Sequence, residues 1–241
     1  MKTQYFSTFT KKQMMRLLTF LCLLTLLLAC KTETKEQNTL SEIVSEEKKE
    51  LTTAEKIAQA HGIEYWKNVN EIQFTFNVDR DDNHFERSWS WKPKTDDIRL
   101  ISEKDTIQYN RKSVDSTSLN ADKAFINDKF WLLVPFQLVW DEGTTISELV
   151  KDLAPISKNE LSKITITYSN DGGYTPGDAY DIYVDEDYLI REWVFRKGNA
   201  EEPSMTTTFE NYEDYNSIKI AKDHKMAEDN FNLYFSNIKV N

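Results

Sequence analysis

Cys30 carries the one sulfur chemistry this chain offers. Leu27-Leu28-Ala29-Cys30 closes an apolar run over 17–28 that only Thr19 and Thr25 interrupt, and Lys11, Lys12 and Arg16 precede it. A charged start, a short apolar stretch and a small residue before cysteine are the layout of a bacterial lipoprotein signal. The Cys30 thiol takes a diacylglycerol, the peptide is cut before it, and residues 1–29 are lost. A retained membrane helix needs about 20 apolar residues, more than this run supplies. Cys22 lies inside the signal, so the mature chain has no disulfide, no thiol nucleophile and no cysteine metal ligand.

Other candidate chemistry is weaker. Asp79, Asp81 and Asn83 mimic the start of a calcium loop, but His84 stands where that loop needs glycine and Ser90 where it needs glutamate. They read as an acidic hairpin turn. The stretch 171–178 is rich in glycine but lacks the Lys-Ser/Thr of a phosphate loop. His61, His84 and His224 have no metal-ligand spacing, and no serine sits in Gly-x-Ser-x-Gly. No metal, no cofactor and no catalytic residue is expected, and the chain reads as a non-enzyme. Two arginines stand out. Alternation puts Arg87 on one strand face with Phe85, Trp89 and Trp91, and Arg191 on one face with Leu189, Trp193 and Phe195. A guanidinium among apolar side chains needs a partner, because an unpaired buried charge is costly. An acid of this protein, a covering helix or a ligand's anionic group would each serve.

Charge narrows the partners. Residues 1–29 hold four of the thirty basic charges and no acid, so the −10 of the whole chain becomes −14 without them. Such a surface repels phosphate backbones, and no nucleic-acid partner is expected. The membrane link runs through the acyl chains at Cys30. Residues 30–50 are polar and charged, with no aromatic, Gly or Pro, and read as a disordered tether. No aspartate follows Cys30, which favours the outer membrane of the cell envelope; the leaflet stays open.

The elements that hold these side chains are mostly strands. A helix starts at Thr52 or Thr53, faces Ile57 and Ala60 inward and ends at Gly62. Ile72, Phe74, Phe76 and Val78 alternate with polar residues as a half-buried strand, and Phe85, Trp89 and Trp91 do the same. Shorter strands follow near 98–101, 106–109, 164–168, 180–184, 189–195, 205–209 and 218–220. In 231–240 the apolar positions slip by one residue, which predicts a bulge near Asn237. Short polar turns between strands favour an antiparallel arrangement. In the middle, 120–128 reads as a helix capped by Asn120, 130–140 is almost wholly apolar, and 146–153 reads as another helix.

Residues 60–69 (Ala-His-Gly-Ile-Glu-Tyr-Trp-Lys-Asn-Val), Phe130-Trp131-Leu132-Leu133-Val134-Pro135-Phe136, Asp181-Ile182-Tyr183-Val184-Asp185 and Phe209-Glu210-Asn211-Tyr212 resemble segments of uncharacterised Bacteroidetes lipoproteins. Those proteins are similar in architecture to the LolA/LolB lipoprotein carriers. The resemblance implies a mainly β (α+β) fold over 51–241: an incompletely closed antiparallel β-barrel whose concave face is covered by helices. It implies a membrane-anchored lipoprotein that binds an apolar or amphipathic ligand, such as an acyl chain or a lipoprotein. The alternative is a non-catalytic scaffold or interaction module of an outer-membrane complex, with no ligand cavity. In the binding reading Trp131 and Phe136 face the cavity, Trp89, Trp91 and Trp193 lie across it, and Arg87 or Arg191 forms its polar end.

Overall fold

The computed structural model describes residues 50–171 and 174–241. The signal, Cys30 and the tether up to residue 49, and Gly172 and Gly173 of the glycine-rich stretch, lie outside the described residues.

Helix α1 (Thr53–Ala60) opens the fold. Thr52 caps it: its hydroxyl accepts from the Glu55 amide, and the Glu55 carboxylate accepts from the Thr52 amide. Ala54, Ile57 and Ala58 are its buried side. His61 ends the helix and Gly62 follows at φ +89. A Cβ there would lie 1.8 Å from the Ser217 carbonyl oxygen. Gly62→Ala therefore meets both left-handed backbone strain and a backbone clash. A loss of about 2 kcal/mol is expected, readable as a lower urea midpoint; an unchanged midpoint would show that this crossing relaxes freely.

The strands form two six-stranded antiparallel sheets and one hairpin. The first sheet joins β1 (Ile72–Arg80), β2 (Asn83–Lys92), β3 (Asp97–Ile101), β4 (Thr106–Asn110), β13 (Asp223–Lys225) and β14 (Phe231–Val240) in the order β13-β14-β1-β2-β3-β4. The second joins β5 (Thr144–Ile146), β6 (Val150–Leu153), β7 (Glu160–Tyr168), β8 (Ala179–Val184), β9 (Ile190–Arg196) and β10 (Met205–Thr208) in the order β10-β9-β8-β7, with β5 and β6 both on β7. The hairpin β11 (Glu213–Tyr215)–β12 (Ile218–Ile220) lies against the end of α1, where the Lys219 amide donates to the His61 carbonyl. The sheets meet along one seam. Glu210 and Asp223 form a bridge there, and the Lys225 amide donates to the Thr208 hydroxyl. At the other side β4 and the β5–β6 edge remain unpaired with each other, so the barrel is not closed.

The predicted bulge is present. Gln73 pairs with Lys239 but Thr75 with Ser236, which leaves one extra residue in β14, and Asn237 takes φ +52. The turn at 79–84 is tighter than expected: both strands run on until only Asp81 and Asp82 connect them.

The middle of the chain differs from its sequence reading. One helix, α2 (Leu119–Trp140), spans what reads as a helix at 120–128 plus an apolar run. It continues through Pro135 with a local break at Leu133 (φ −125, ψ 29), because proline removes the amide that would bond the Trp131 carbonyl. Asn120 is not its cap; Ser118 precedes the helix and bonds Asp115 instead. Residues 146–153 are not a helix. They are β5, β6 and the short link between them, and their backbone groups are satisfied by β7. The apolar residues at helical spacing there belong to an irregular edge strand.

Helix α2 fills the inside of the half-barrel. Ala121, Phe125, Leu132, Leu133 and Phe136 join the core of the first sheet with Phe74, Trp89, Trp91 and Phe235. Phe130, Val134 and Leu138, four residues apart, join the core of the second sheet with Ile166, Ile182 and Trp193. From Phe130 to Phe136 the helix is apolar on every side, as a stretch enclosed by both sheets must be.

Candidate functional site

The site is built where α2 crosses β2. Arg87 stands opposite Phe76 in the β1–β2 register, on the inner face. Its Nε and Nη2 donate to the two oxygens of Asp128 on α2, both at 2.5 Å. Trp89 Nε1 donates to Asp128 Oδ2 at 2.7 Å, and Asn127 Nδ2 donates to Oδ1 at 3.0 Å. The guanidinium also lies 5.2 Å from the ring centres of Phe76 and Phe85. The Asp128 side chain is fully buried, whereas that of Arg87 is one-fifth exposed. Burial pushes the Asp128 carboxyl up, and the hydrogen-bonded Arg87 pulls it down less than burial raises it. The pair therefore locks α2 against β2 geometrically rather than adding much net stability. Of the partners open to Arg87, an acid of the protein on a covering helix is the one it has.

Arg191 sits at an irregularity of β9. Tyr183 pairs with Glu192 and Val184 with Ile190, so Arg191 is the extra residue of a bulge. Simple alternation fails across such a residue. The side chain turns to Asp185, whose Oδ2 accepts from its Nε at 2.6 Å, and its guanidinium lies 5.6 Å from the Tyr212 ring centre. Tyr212 lies against the buried His61, whose Nε2 is 3.2 Å from the tyrosine hydroxyl. Glu192, next in the strand, faces outward and is buried, where its carboxylate accepts from the Ile156 and Ser157 amides.

The five aromatic candidates fall on two sides of α2. Trp89 and Trp91 both meet Phe125 edge-on, at 5.3 and 5.5 Å. Phe136 belongs to the same core and is joined to Trp91 through Trp66. Trp131 and Trp193 meet directly at 4.4 Å on the other side. Trp131 also reaches His224 at the seam between the sheets. Phe85, on the same face as Arg87 by alternation, is half exposed.

Two side chains of this site escape the sequence reading: Asp128 and Lys129. Their signal is the polar triplet Asn127-Asp128-Lys129 between Phe125 and Phe130, which a buried helix tolerates only if each polar group is met. Among the described residues, no group of three or more His, Cys, Asp or Glu is placed to hold a metal ion. No described helix is long and apolar enough to cross a membrane.

The arrangement defines a class: an open antiparallel half-barrel whose interior is occupied by its own kinked helix. No family model matches the chain, and no curated protein matches it. Among the solved structures similar to it are these two. One is a DUF1329 family protein from Desulfovibrio piger, with TM-score 0.45, 10% identity, and coverage of 78% of this chain and 92% of that one. The other is MucB in complex with MucA(peri), with TM-score 0.23, 9% identity, and coverage of 78% of this chain and 54% of that one. The chain thus spans about half the length of MucB.

Proposed function

We propose that this chain is a cell-envelope lipoprotein, held to the outer membrane through Cys30 and the tether 30–50. Its folded part, 51–241, is a non-catalytic module that binds an apolar or amphipathic molecule, an acyl chain above all. The observation that carries this reading is the nature of α2. It is one element, wholly apolar from Phe130 to Phe136, broken at Leu133–Pro135, and it lines both aromatic cores. Its contacts with the sheets are non-directional, so a ligand's methylene groups replace them at little cost once the helix shifts. The Arg87–Asp128 clamp sets which end of the helix stays. A second reading, an interaction module with a packed interior, is favoured by a different observation. Trp131 meets Trp193 ring to ring, and Phe130 stacks on Tyr174 at 3.8 Å, so the interior is filled as it stands.

Extraction of the protein from its own membranes, followed by mass spectrometry, tests both. An acyl-bearing molecule bound non-covalently is expected in near-stoichiometric amount, and its removal is expected to change Trp131 fluorescence. Protein that is free of ligand, and whose fluorescence ignores added acyl chains, supports the packed module instead. The same spectra test the anchor: Cys30 is expected as the modified first residue, and Cys30→Ser is expected to abolish lipidation. An unmodified Cys30 rejects it.

A further inference from the structure

We infer that the groove between β10 and the turn after β13 is a docking site for an extended, basic segment of a partner protein. Helix α2 contributes no residue to this groove, so the inference goes beyond the reading of the interior and stands whatever the interior holds. β10 and β13 are the terminal strands of their sheets. The seam holds them together at one end, through the Glu210–Asp223 bridge and the Lys225 amide, which donates to the Thr208 hydroxyl. Beyond Thr208 and Lys225 a groove of about 380 Å³ opens, lined by Met205 and Thr206 on one side and Met226 and Ala227 on the other. Ile156 and Pro203 extend its apolar lining. Methionine side chains adapt to what packs on them, and a half-buried pair suits a surface that receives side chains.

The backbone sets the conformation of the guest. The Phe209 amide donates to the Arg191 carbonyl, so residues 205, 207 and 209 turn their N–H and carbonyl groups toward β9. Thr206 and Thr208 turn theirs the other way. The Thr208 carbonyl meets His224 Nδ1 across the seam at 3.2 Å, whereas the N–H and carbonyl of Thr206 face the groove with no strand beside them. An unpaired strand edge is a template for another strand, and a guest strand sends alternate side chains into the pockets next to it. Charge sets the side chains that the guest carries. Glu228 and Asp229 line the groove, and Glu201 and Glu202 stand just before Pro203. All four are exposed, and among the described residues none closes an ion pair. The lining includes no lysine or arginine. Of the cations adjacent in sequence, Lys225 is held by Glu210 at 3.0 Å and Lys158 donates to the Pro155 carbonyl at 2.5 Å. A cationic guest is attracted to such a rim. A second copy of this chain, at −10, and an anionic lipid surface are both repelled by it.

The test uses the full-length lipoprotein in phosphatidylcholine nanodiscs, with empty nanodiscs as reference. Two peptides carrying an uncharged dye, Lys-Val-Thr-Val-Lys and Glu-Val-Thr-Val-Glu, are titrated and read by fluorescence anisotropy. The basic peptide is expected to bind about tenfold more tightly at low salt, and added salt is expected to narrow the gap. Glu228→Gln with Asp229→Asn is expected to remove most of that preference. Thr206→Pro deletes the N–H that faces the groove and leaves the ladder to β9 intact, as proline does on an outer strand. It is expected to weaken both peptides about fivefold, the worth of one hydrogen bond. Ala227→Trp fills the groove from an exposed position and is expected to abolish binding; it decides the matter if Thr206→Pro does not fold. Equal affinity for the two peptides at low salt, binding that survives Ala227→Trp, binding unmoved by Thr206→Pro in the folded protein, or no binding of either peptide overturns the docking site. Each of these outcomes leaves the acyl-chain reading standing, because α2 and the two aromatic cores take no part in the test.

Discussion

Asp128→Ala is expected to destabilise the folded domain by about 3–5 kcal/mol, the usual cost of removing one partner from a buried pair. The reason is what it leaves behind. Arg87 loses both carboxylate oxygens it donates to, and Trp89 Nε1 loses its acceptor. Most of the Arg87 side chain is withdrawn from solvent, so water replaces those bonds poorly. The double variant Arg87→Met with Asp128→Leu removes charge and counter-charge together and is expected to recover most of the loss. Urea denaturation of the wild type, Arg87→Met, Asp128→Leu and the double variant gives the coupling directly. A single-variant loss below about 1 kcal/mol would show that α2 is not held by this clamp.

Acid is expected to unfold the protein through two histidines. His61 is buried at the end of α1, with Nδ1 2.8 Å from the Ile57 carbonyl oxygen. His224 is buried at the seam between Trp131, Phe209 and Phe235, with Nδ1 3.2 Å from the Thr208 carbonyl oxygen. Burial lowers the pKa of each from 6.5 to about 4. In the unfolded chain both take up a proton as the pH falls through 6.5, whereas in the folded chain neither does so until about 4. Between those values the unfolded state holds more protons. The stability contributed by the neutral histidines is complete above pH 6.5 and is lost progressively as the pH falls to 4, at about 3 kcal/mol for each. Asp128 and Asp141, whose carboxyls burial pushes up, act with the opposite sign and offset part of the loss. His224→Phe suits the surrounding rings and removes one titration. The urea midpoint of that variant is expected to fall about half as steeply between pH 6.5 and 4.5. An unchanged slope would mean that the seam histidine takes its proton without unfolding.

Much of this is local and therefore legible. Thr52 and Glu55 cap a helix because they stand three residues apart. The alternation from Ile72 to Val78 makes a strand of any chain that can bury one side. The slipped pattern around Asn237 marks a bulge because side chains in a strand must alternate. The need of Arg87 for a partner follows from its place among aromatic residues. The acidic turn at Asp81–Asp82 follows from composition. For Cys30 the motif is the whole of the argument, and the lipidation it suggests stays a proposal.

What only the tertiary structure decided depends on residues far apart in the chain. Residues 146–153 have the apolar spacing of a helix and become strands because β7 offers their backbone a ladder, and pairing outweighs a weak local preference. The run through Pro135 stays helical because both sheets enclose it, and the burial of Phe130, Val134, Phe136 and Leu138 outweighs one missing hydrogen bond. Ile190 rather than Leu189 joins Trp193 in the core because one extra residue in β9 resets the alternation. Asp128 became the partner of Arg87 by a meeting across 41 positions that no local pattern encodes. Local spacing sets which elements form and which side chains cannot remain alone. Which charge meets which, and what a helix buries, is set by long-range packing, because only the assembled interior removes water from both partners at once.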